Sequence, residues 1–347
     1  MLLSALVRAC VLRYSLALST LVAASLSPGT AAPATTSHRA SRSTVRAPAA
    51  VILPATASAW DLAVGQAARS ALGHAQGAVV AMDPHTGRVH ALVNPALGMQ
   101  RGFQPCSVFK IVVGIAGLSE GVITPETVYN CRKGCWMWAG HGPIDLRRAL
   151  AVSCNPYFEW VGEQLGYEKI QRYAHLLGLG EPSGINLTGE TAGRVPTFVR
   201  PEAVGHLSSH AAGVETSAVQ LAVLVSATVN GGSILTPQVS GPADFVPRER
   251  WHLPATTRLE GLADGFAAAV NEGSASAAFD PEVAVAGKTG TCSQLGWFAS
   301  YAPADGPQLV VVVFLRYGSG HGASAVAGRM FRELFGPGGG PVAAGMP

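Results

Sequence analysis

The chain has 347 residues, of which 48% are hydrophobic and only 13% charged; this excludes a disordered polymer and allows one large domain or two smaller ones. Of its 24 basic residues, five (Arg8, Arg13, Arg39, Arg42 and Arg46) precede the first acid, Asp61, leaving 19 against 21 acids in the rest. That near-neutral remainder lacks the basic footprint of a nucleic-acid binder, so no nucleic-acid partner is expected.

Residues 1–34 read as an export signal: Arg8 and Arg13, an apolar stretch over 16–26, then small residues around Ala31 and Ala32. Cleaved, it is a signal peptide; uncleaved, a membrane anchor, although its apolar run is short for a span. Residues 35–58 are rich in Ala, Ser, Thr and Pro and read as a flexible linker. The apolar spacing over 60–72 predicts a short amphipathic helix. Residues 77–83 and 88–94 are β-rich and flank the turn P-H-T-G, a hairpin signal.

From 107 to about 270 the patterns are helical. Residues 108–118 are apolar all round and read as a buried helix, 167–179 as an amphipathic one, and 217–229 as another buried one, stopped by Asn230-Gly231-Gly232. Strand character returns at 283–291, 296–301 and 308–316, the last rich enough in β-formers for a central strand. A closing helix follows over 321–335, then a Gly/Pro-rich tail from 336. The expected fold is α/β: an antiparallel sheet of about five strands, terminal helices on one face, and an all-helical lobe inserted in sequence. The folded body is expected over 59–335 as a stand-alone domain.

Five cysteines lie beyond the export signal: Cys106, Cys131, Cys135, Cys154 and Cys292. Export permits disulfides, and Cys131 and Cys135, in N-C-R-K-G-C, are close enough to bridge. A zinc site from Cys131, Cys135 and His141 fits no common spacing, so no metal is expected.

The stretch Q-P-C-S-V-F-K places Ser107 and Lys110 three apart at the predicted start of a helix. On a helix those positions share a face, so hydroxyl and amine can meet. A serine at a helix N-terminus also has backbone N–H groups nearby for a developing oxyanion. Chance alone can supply such a pair. Two further clusters change that: Ser153-Cys154-Asn155 within A-L-A-V-S-C-N-P-Y-F, and Lys288-Thr289-Gly290 within V-A-G-K-T-G-T-C-S.

With these three motifs in order, the sequence resembles the penicillin-binding transpeptidases and serine β-lactamases, whose signatures are S-x-x-K, S-x-N and K-T-G. The opening hairpin A-V-V-A-M-D-P-H-T-G-R-V-H-A-L-V, the approach D-L-R-R-A-L-A and the strand W-F-A-S-Y-A-P-A-D extend the resemblance over about 60–335. It implies that Ser107 is the nucleophile of an acyl-enzyme and Lys110 its base, with an amine pKa depressed by burial and by Lys288. It implies that Ser153 carries a proton to the leaving group and that Asn155 contacts both Lys110 and a substrate amide. Lys288, Thr289 and Thr291 would hold a substrate carboxylate, and Gly290 would let the strand edge approach the ligand. Backbone N–H groups of Ser107 and Thr291 would form the oxyanion hole.

The implied activity is D,D-transpeptidation or D,D-carboxypeptidation of peptidoglycan stem peptides ending in D-Ala-D-Ala, outside the cytoplasmic membrane, in the periplasm or cell envelope. β-Lactams would be covalent inhibitors, cell-wall synthesis proteins possible partners, and no cofactor is required. Two rivals share the fold: a β-lactamase of class D type, and a non-catalytic penicillin sensor. Glu190 follows Asn155 at a distance suggestive of a deacylating glutamate, but in the context T-G-E-T-A-G-R-V-P of transpeptidases. Asn155 stands where class D enzymes usually carry valine. Three departures from the family pattern are Cys106 beside the nucleophile, Cys292 after K-T-G-T, and residues 211–221, which lack a Pro and a Gly of the family segment. Cys106, Cys154 and Cys292 are therefore expected near one cleft. Lys133 and Lys169 are expected at the surface, Trp297 in strand packing, and Trp136 and Trp138 in loop packing or along the cleft.

Overall fold

The computed structural model describes residues 49–338 except 133, 134, 136 and 138. The export signal, residues 35–48 of the linker, Lys133, Trp136, Trp138 and most of the tail lie outside the described residues. No helix among the described residues is long and apolar enough to cross a membrane.

The chain enters through a two-residue strand, β1 (Val51–Ile52), inside the stretch read as linker. Helix α1 (Ala59–Leu72) follows, started by a reciprocal cap in which the Ser58 hydroxyl accepts from the Asp61 N–H and the Asp61 carboxylate accepts from the Ser58 N–H. Strands β2 (Gly77–Met82) and β3 (Val89–Val93) form the expected hairpin, with Gly87 at φ 79° in its turn. After a single turn, α2 (Pro95–Gly98), residues Cys106–Phe109 wind as a 3₁₀ turn into α3 (Lys110–Ser119).

Between 107 and 270 come β4 (Tyr129–Cys131), β5 (Gly142–Ile144), α4 (Leu146–Ala151), α5 (Asn155–Leu165), α6 (Tyr167–Leu176), α7 (Val204–His210), α8 (Ala218–Ala227), β6 (Ser233–Leu235), β7 (Glu249–His252) and α9 (Leu262–Glu272). The lobe is therefore not purely helical: β4–β5 and β6–β7 are small antiparallel pairs. Strands of three or four residues are too short for alternation to emerge from sequence. Strands β8 (Ala286–Cys292), β9 (Leu295–Ala302) and β10 (Leu309–Arg316) and helix α10 (Gly320–Phe335) close the fold.

The main sheet has six strands in the order β1-β3-β2-β10-β9-β8, all antiparallel. β10 is central, as its run of valines predicts. Its side chains alternate between two cores, as a period of two requires. Val311 and Val313 pack with α1 and α10, whereas Val310, Val312 and Phe314 pack with α3 and α8. The terminal helices thus share one face and the lobe covers the other. β8 is the edge strand, and its free side faces the turn that carries Ser107.

Candidate active site

Pro105 and the 3₁₀ turn present Ser107 at the mouth of a buried helix, with Cys106 held in the left-handed region at φ 54°. Cys106 is disulfide-bonded to Cys292 at the end of β8, across 186 residues of sequence. Gly290, two residues before Cys292, packs on the same turn: a Cβ there would stand 2.6 Å from the Pro105 carbonyl oxygen and 3.1 Å from Val108 Cγ2. The glycine lets β8 approach the turn that carries Ser107, so the close neighbour that requires it is protein backbone.

Lys110 is fully buried. Its Nζ lies 3.1 Å from Ser107 Oγ, 2.8 Å from the Ser153 carbonyl oxygen, 3.2 Å from Ser153 Oγ and 2.6 Å from Asn155 Oδ1. An ammonium has three N–H donors for these four oxygens. A neutral amine keeps two donors and gains one lone pair, and of the four oxygens only the two hydroxyls can donate to it. Burial pushes the amine down to about 7, against a partial upward pull from Cys154, Cys135 and Glu159. Repulsion between this amine and that of Lys288 acts on both groups. Lys288 is itself fully buried, and burial, then the charge of Lys110, hold it well below its usual value.

Ser153 bridges the two amines. It sits in the left-handed region at φ 55°, and its Oγ is 2.9 Å from Lys288 Nζ as well as 3.2 Å from Lys110 Nζ. Asn155 opens α5, and the other end of its amide, Nδ2, lies 3.3 Å from His210 Nε2. His210 Nδ1 lies 2.6 Å from Ser209 Oγ, which donates to Glu159 Oε1 at 2.9 Å. Burial lowers the His210 pKa, and His206 and Lys110 lower it further against a raising contribution from Glu159. This second row of groups gives no signal in the sequence, because α7 follows α5 by about fifty residues with no motif of its own.

Six of the eight motif residues, Ser107, Lys110, Ser153, Asn155, Lys288 and Gly290, thus converge. The side chains of Thr289 and Thr291 alternate to the other face of β8. Thr289 Oγ1 is 2.6 Å from Ser274 Oγ, and Thr291 Oγ1 accepts from the Gly320 N–H at 2.7 Å. Glu190 has its carboxylate taken up by the N–H groups of Ser183 and Gly184, at 2.8 and 3.1 Å, and closes its own loop. Trp297 is fully buried, with Nε1 donating to the Gln104 carbonyl at 2.9 Å, which agrees with strand packing. Lys169 is a surface residue that pairs with Glu120 at 3.1 Å.

The cysteines are distributed differently from expectation. Cys131 and Cys135 do not bridge; both are free, as is Cys154. Cys106 and Cys292 meet at the cleft, but the side chain of Cys154 turns the other way, into the lobe. There Cys131, Cys135, His141 and Cys154 bring their ligand atoms within 4.8 Å of one another. Glu159, His206 and His210 make a second such group, in which Glu159 and His210 already serve the hydrogen bonds to Ser209 and Asn155.

Residues 77–336 match the family model described as penicillin binding protein transpeptidase domain. Stage V sporulation protein D of Bacillus subtilis is 28% identical over 64% of this chain and 40% of its own length. The peptidoglycan D,D-transpeptidase MrdA of Haemophilus influenzae is 26% identical over 76% of this chain and 53% of its own. The chain thus spans about half the length of these relatives. Among solved structures, a chain of a peptidoglycan synthase complex aligns with a TM-score of 0.70 at 26% identity, covering 79% of this chain and 62% of that one. Pseudomonas aeruginosa PBP2, solved with WCK 5153, gives 0.71 at 22% identity over 81% and 79% of the two chains. With the family model covering three quarters of its length, the chain belongs to the penicillin-binding protein transpeptidase family.

Proposed function

We propose that this chain is a serine D,D-acyltransferase acting on peptidoglycan stem peptides that end in D-Ala-D-Ala. The observation that carries the reading is the buried Lys110 amine, held to about 7 and in reach of the Ser107 hydroxyl. In the neutral form, Nζ takes the Ser107 proton as Oγ attacks the carbonyl between the two D-alanines. The peptide bond breaks, D-alanine leaves, and Ser107 carries the acyl group. Ser153 Oγ, in contact with both amines, passes the proton from Lys110 to the leaving nitrogen. Asn155 holds Lys110 in place, and N–H groups of Ser107 and Thr291 receive the oxyanion. The terminal carboxylate of the substrate, arriving beside Lys288, favours its charged form and pairs with it.

An acceptor amine then takes the acyl group, giving a crosslink, or water takes it, giving a trimmed peptide. β-Lactams would enter by the same attack and stay on Ser107. The position of Glu190 and the presence of Asn155 argue against a β-lactamase. A deacylating glutamate would have to leave its two backbone N–H partners, and a carboxylated Lys110 would set its new oxygens against Asn155 Oδ1 and the Ser153 carbonyl. The chain would work in the cell envelope after export by residues 1–34, cleaved or kept as an anchor. The linker would tether the folded domain, where other wall-synthesis proteins are its natural partners.

The test is release of D-alanine from a synthetic stem pentapeptide, with and without an added amino acceptor, beside turnover of a chromogenic cephalosporin. Peptide turnover with no more than stoichiometric cephalosporin cleavage is expected. Sustained cephalosporin turnover without D-alanine release would overturn the reading in favour of a β-lactamase.

A further inference from the structure

Cys131 ends β4, His141 immediately precedes β5, and Cys154 caps α5. Antiparallel pairing of Cys131 with Gly142 sets His141 beside Cys131. Gly140, at φ 74°, folds the connecting loop so tightly that a Cβ would stand 2.1 Å from the Cys131 carbonyl oxygen. That turn sets Gly140 against Cys131, and Cys135 lies beside His141. The resulting distances are 3.3 Å from Cys135 Sγ to His141 Nδ1, 3.6 Å from Cys131 Sγ to His141 Nδ1, and 3.4 Å from Cys154 Sγ to Cys131 Sγ.

Four-coordinate zinc, with Zn–S about 2.3 Å and Zn–N about 2.0–2.1 Å, sets its donor atoms roughly 3.5–3.8 Å apart at the edges of a tetrahedron. The observed separations lie close to those edges. Three thiolates and one imidazole form a structural zinc set, and soft sulfur donors in this number disfavour calcium, magnesium and manganese. Cys131 and Cys154 are fully buried, as a closed structural site requires. The same chain joins Cys106 to Cys292 yet leaves these three grouped thiols unbonded. The two three-residue strands have little hydrogen bonding of their own, and a pair that short is marginal without a further tie.

We propose that Cys131, Cys135, His141 and Cys154 bind one zinc ion, which ties the β4–β5 hairpin to the turn carrying Ser153 and Asn155. Binding releases the thiol protons to solvent and leaves three thiolates and a neutral imidazole on the metal. Cys154 lies between Ser153 and Asn155, whose side chains face the two lysines, so the ion fixes that turn from behind. The site stands on its own geometry; its effect on acylation rests on the catalytic reading above.

The full chain, purified without chelator or added metal, should carry about one zinc per molecule by elemental analysis. Replacement by cobalt(II) should give the intense visible bands of a tetrahedral thiolate complex. Cys135→Ser, at a half-buried loop position, should keep the native circular dichroism and lose at least tenfold in zinc affinity. Folded wild-type chain without zinc would overturn the proposal, as would an octahedral cobalt spectrum. A Cys131–Cys154 or Cys131–Cys135 disulfide found by peptide mapping of protein prepared without reductant would overturn it too. Stripping the ion should slow labelling by a fluorescent penicillin about tenfold, the size expected for loss of a supporting shell. Unchanged labelling of a chain shown to have lost its zinc would remove the link to Ser153 and Asn155 and leave the metal site standing.

Discussion

In the proposed reaction, Lys110 concentrates the chemistry of this site in one nitrogen. Held to about 7 by burial, it is half neutral near pH 7, and only the neutral form can accept the Ser107 proton. The second-order rate of acylation should therefore rise with pH to a plateau above about 7, and Lys110→Arg, which stays charged, should lose at least a hundredfold. Stopped-flow acylation across pH 5–9 measures both; a rate flat through that range would contradict the role of Lys110 as base. His210 acts one step further out. With Nε2 facing Asn155 Nδ2, the neutral ring accepts, and Asn155 Oδ1 is left for Lys110. Protonated, the ring would present a donor to a donor, but burial lowers its pKa and keeps it neutral around pH 7. As a positioning residue it should show itself in His210→Ala by a five- to tenfold lower acylation rate, about 1 kcal/mol for one hydrogen bond. The pH profile of the variant should also change on its acid side. An unchanged profile with an equal loss would point to a packing effect alone.

At the scale of elements, the cleft depends on how closely β8 lies against the Ser107 turn. Two features hold them together, the Cys106–Cys292 disulfide and the contact at Gly290. Gly290→Ala would place a methyl group 2.6 Å from a backbone oxygen on a turn that is already fixed by a disulfide. Overpacking of this kind costs about 1–3 kcal/mol. Because it separates Ser107 from the strand, acylation should fall more steeply than stability, which chemical denaturation and penicillin labelling of the variant together would decide. The K-T-G motif was legible as a unit, but the roles of its residues were not. Strand alternation sends Lys288 into the site and the Thr289 and Thr291 side chains to Ser274 and the start of α10. Similarly, Cys106, Cys154 and Cys292 could be grouped by their nearness to motifs. The left-handed turn at Ser153 separates Cys154 from the other two and sends it to Cys131. Local φ of a non-glycine residue leaves no mark in the sequence.

For the whole molecule, periodicity was enough where elements are long. The β2–β3 hairpin, central β10, the buried helices α3 and α8 and the closing α10 all lie where apolar spacing put them. It failed for β1, β4, β5, β6 and β7, each of four residues or fewer, and for contacts such as His210 with Asn155 that only the packing of α7 on α5 creates. Stability of the whole depends on one charge cluster as well as on the cores. Asp61, fully buried in the first turn of α1, bonds His90 at 2.7 Å and pairs with Arg88, joining the first helix to the sheet. Burial alone would raise its carboxyl, but the bonds from His90 and Ser58 outweigh it and hold the group at about 2. Its contribution is present above the ordinary carboxylate pKa near 3.8 and is lost as pH falls from there toward about 2, at most about 2 kcal/mol. Asp61→Asn should therefore destabilise the chain at pH 7 and flatten its stability between pH 4 and 2, as thermal melts across that range would record. An undiminished acid loss in the variant would assign it to other carboxylates.

The central claim is that Ser107, activated by Lys110, accepts an acyl group. Intact-mass analysis after incubation with benzylpenicillin, followed by peptide mapping, tests it most directly. A single adduct on Ser107, persisting for many minutes and absent from Ser107→Ala, is the predicted result. No adduct on the folded chain, or one that survives in Ser107→Ala, would contradict it.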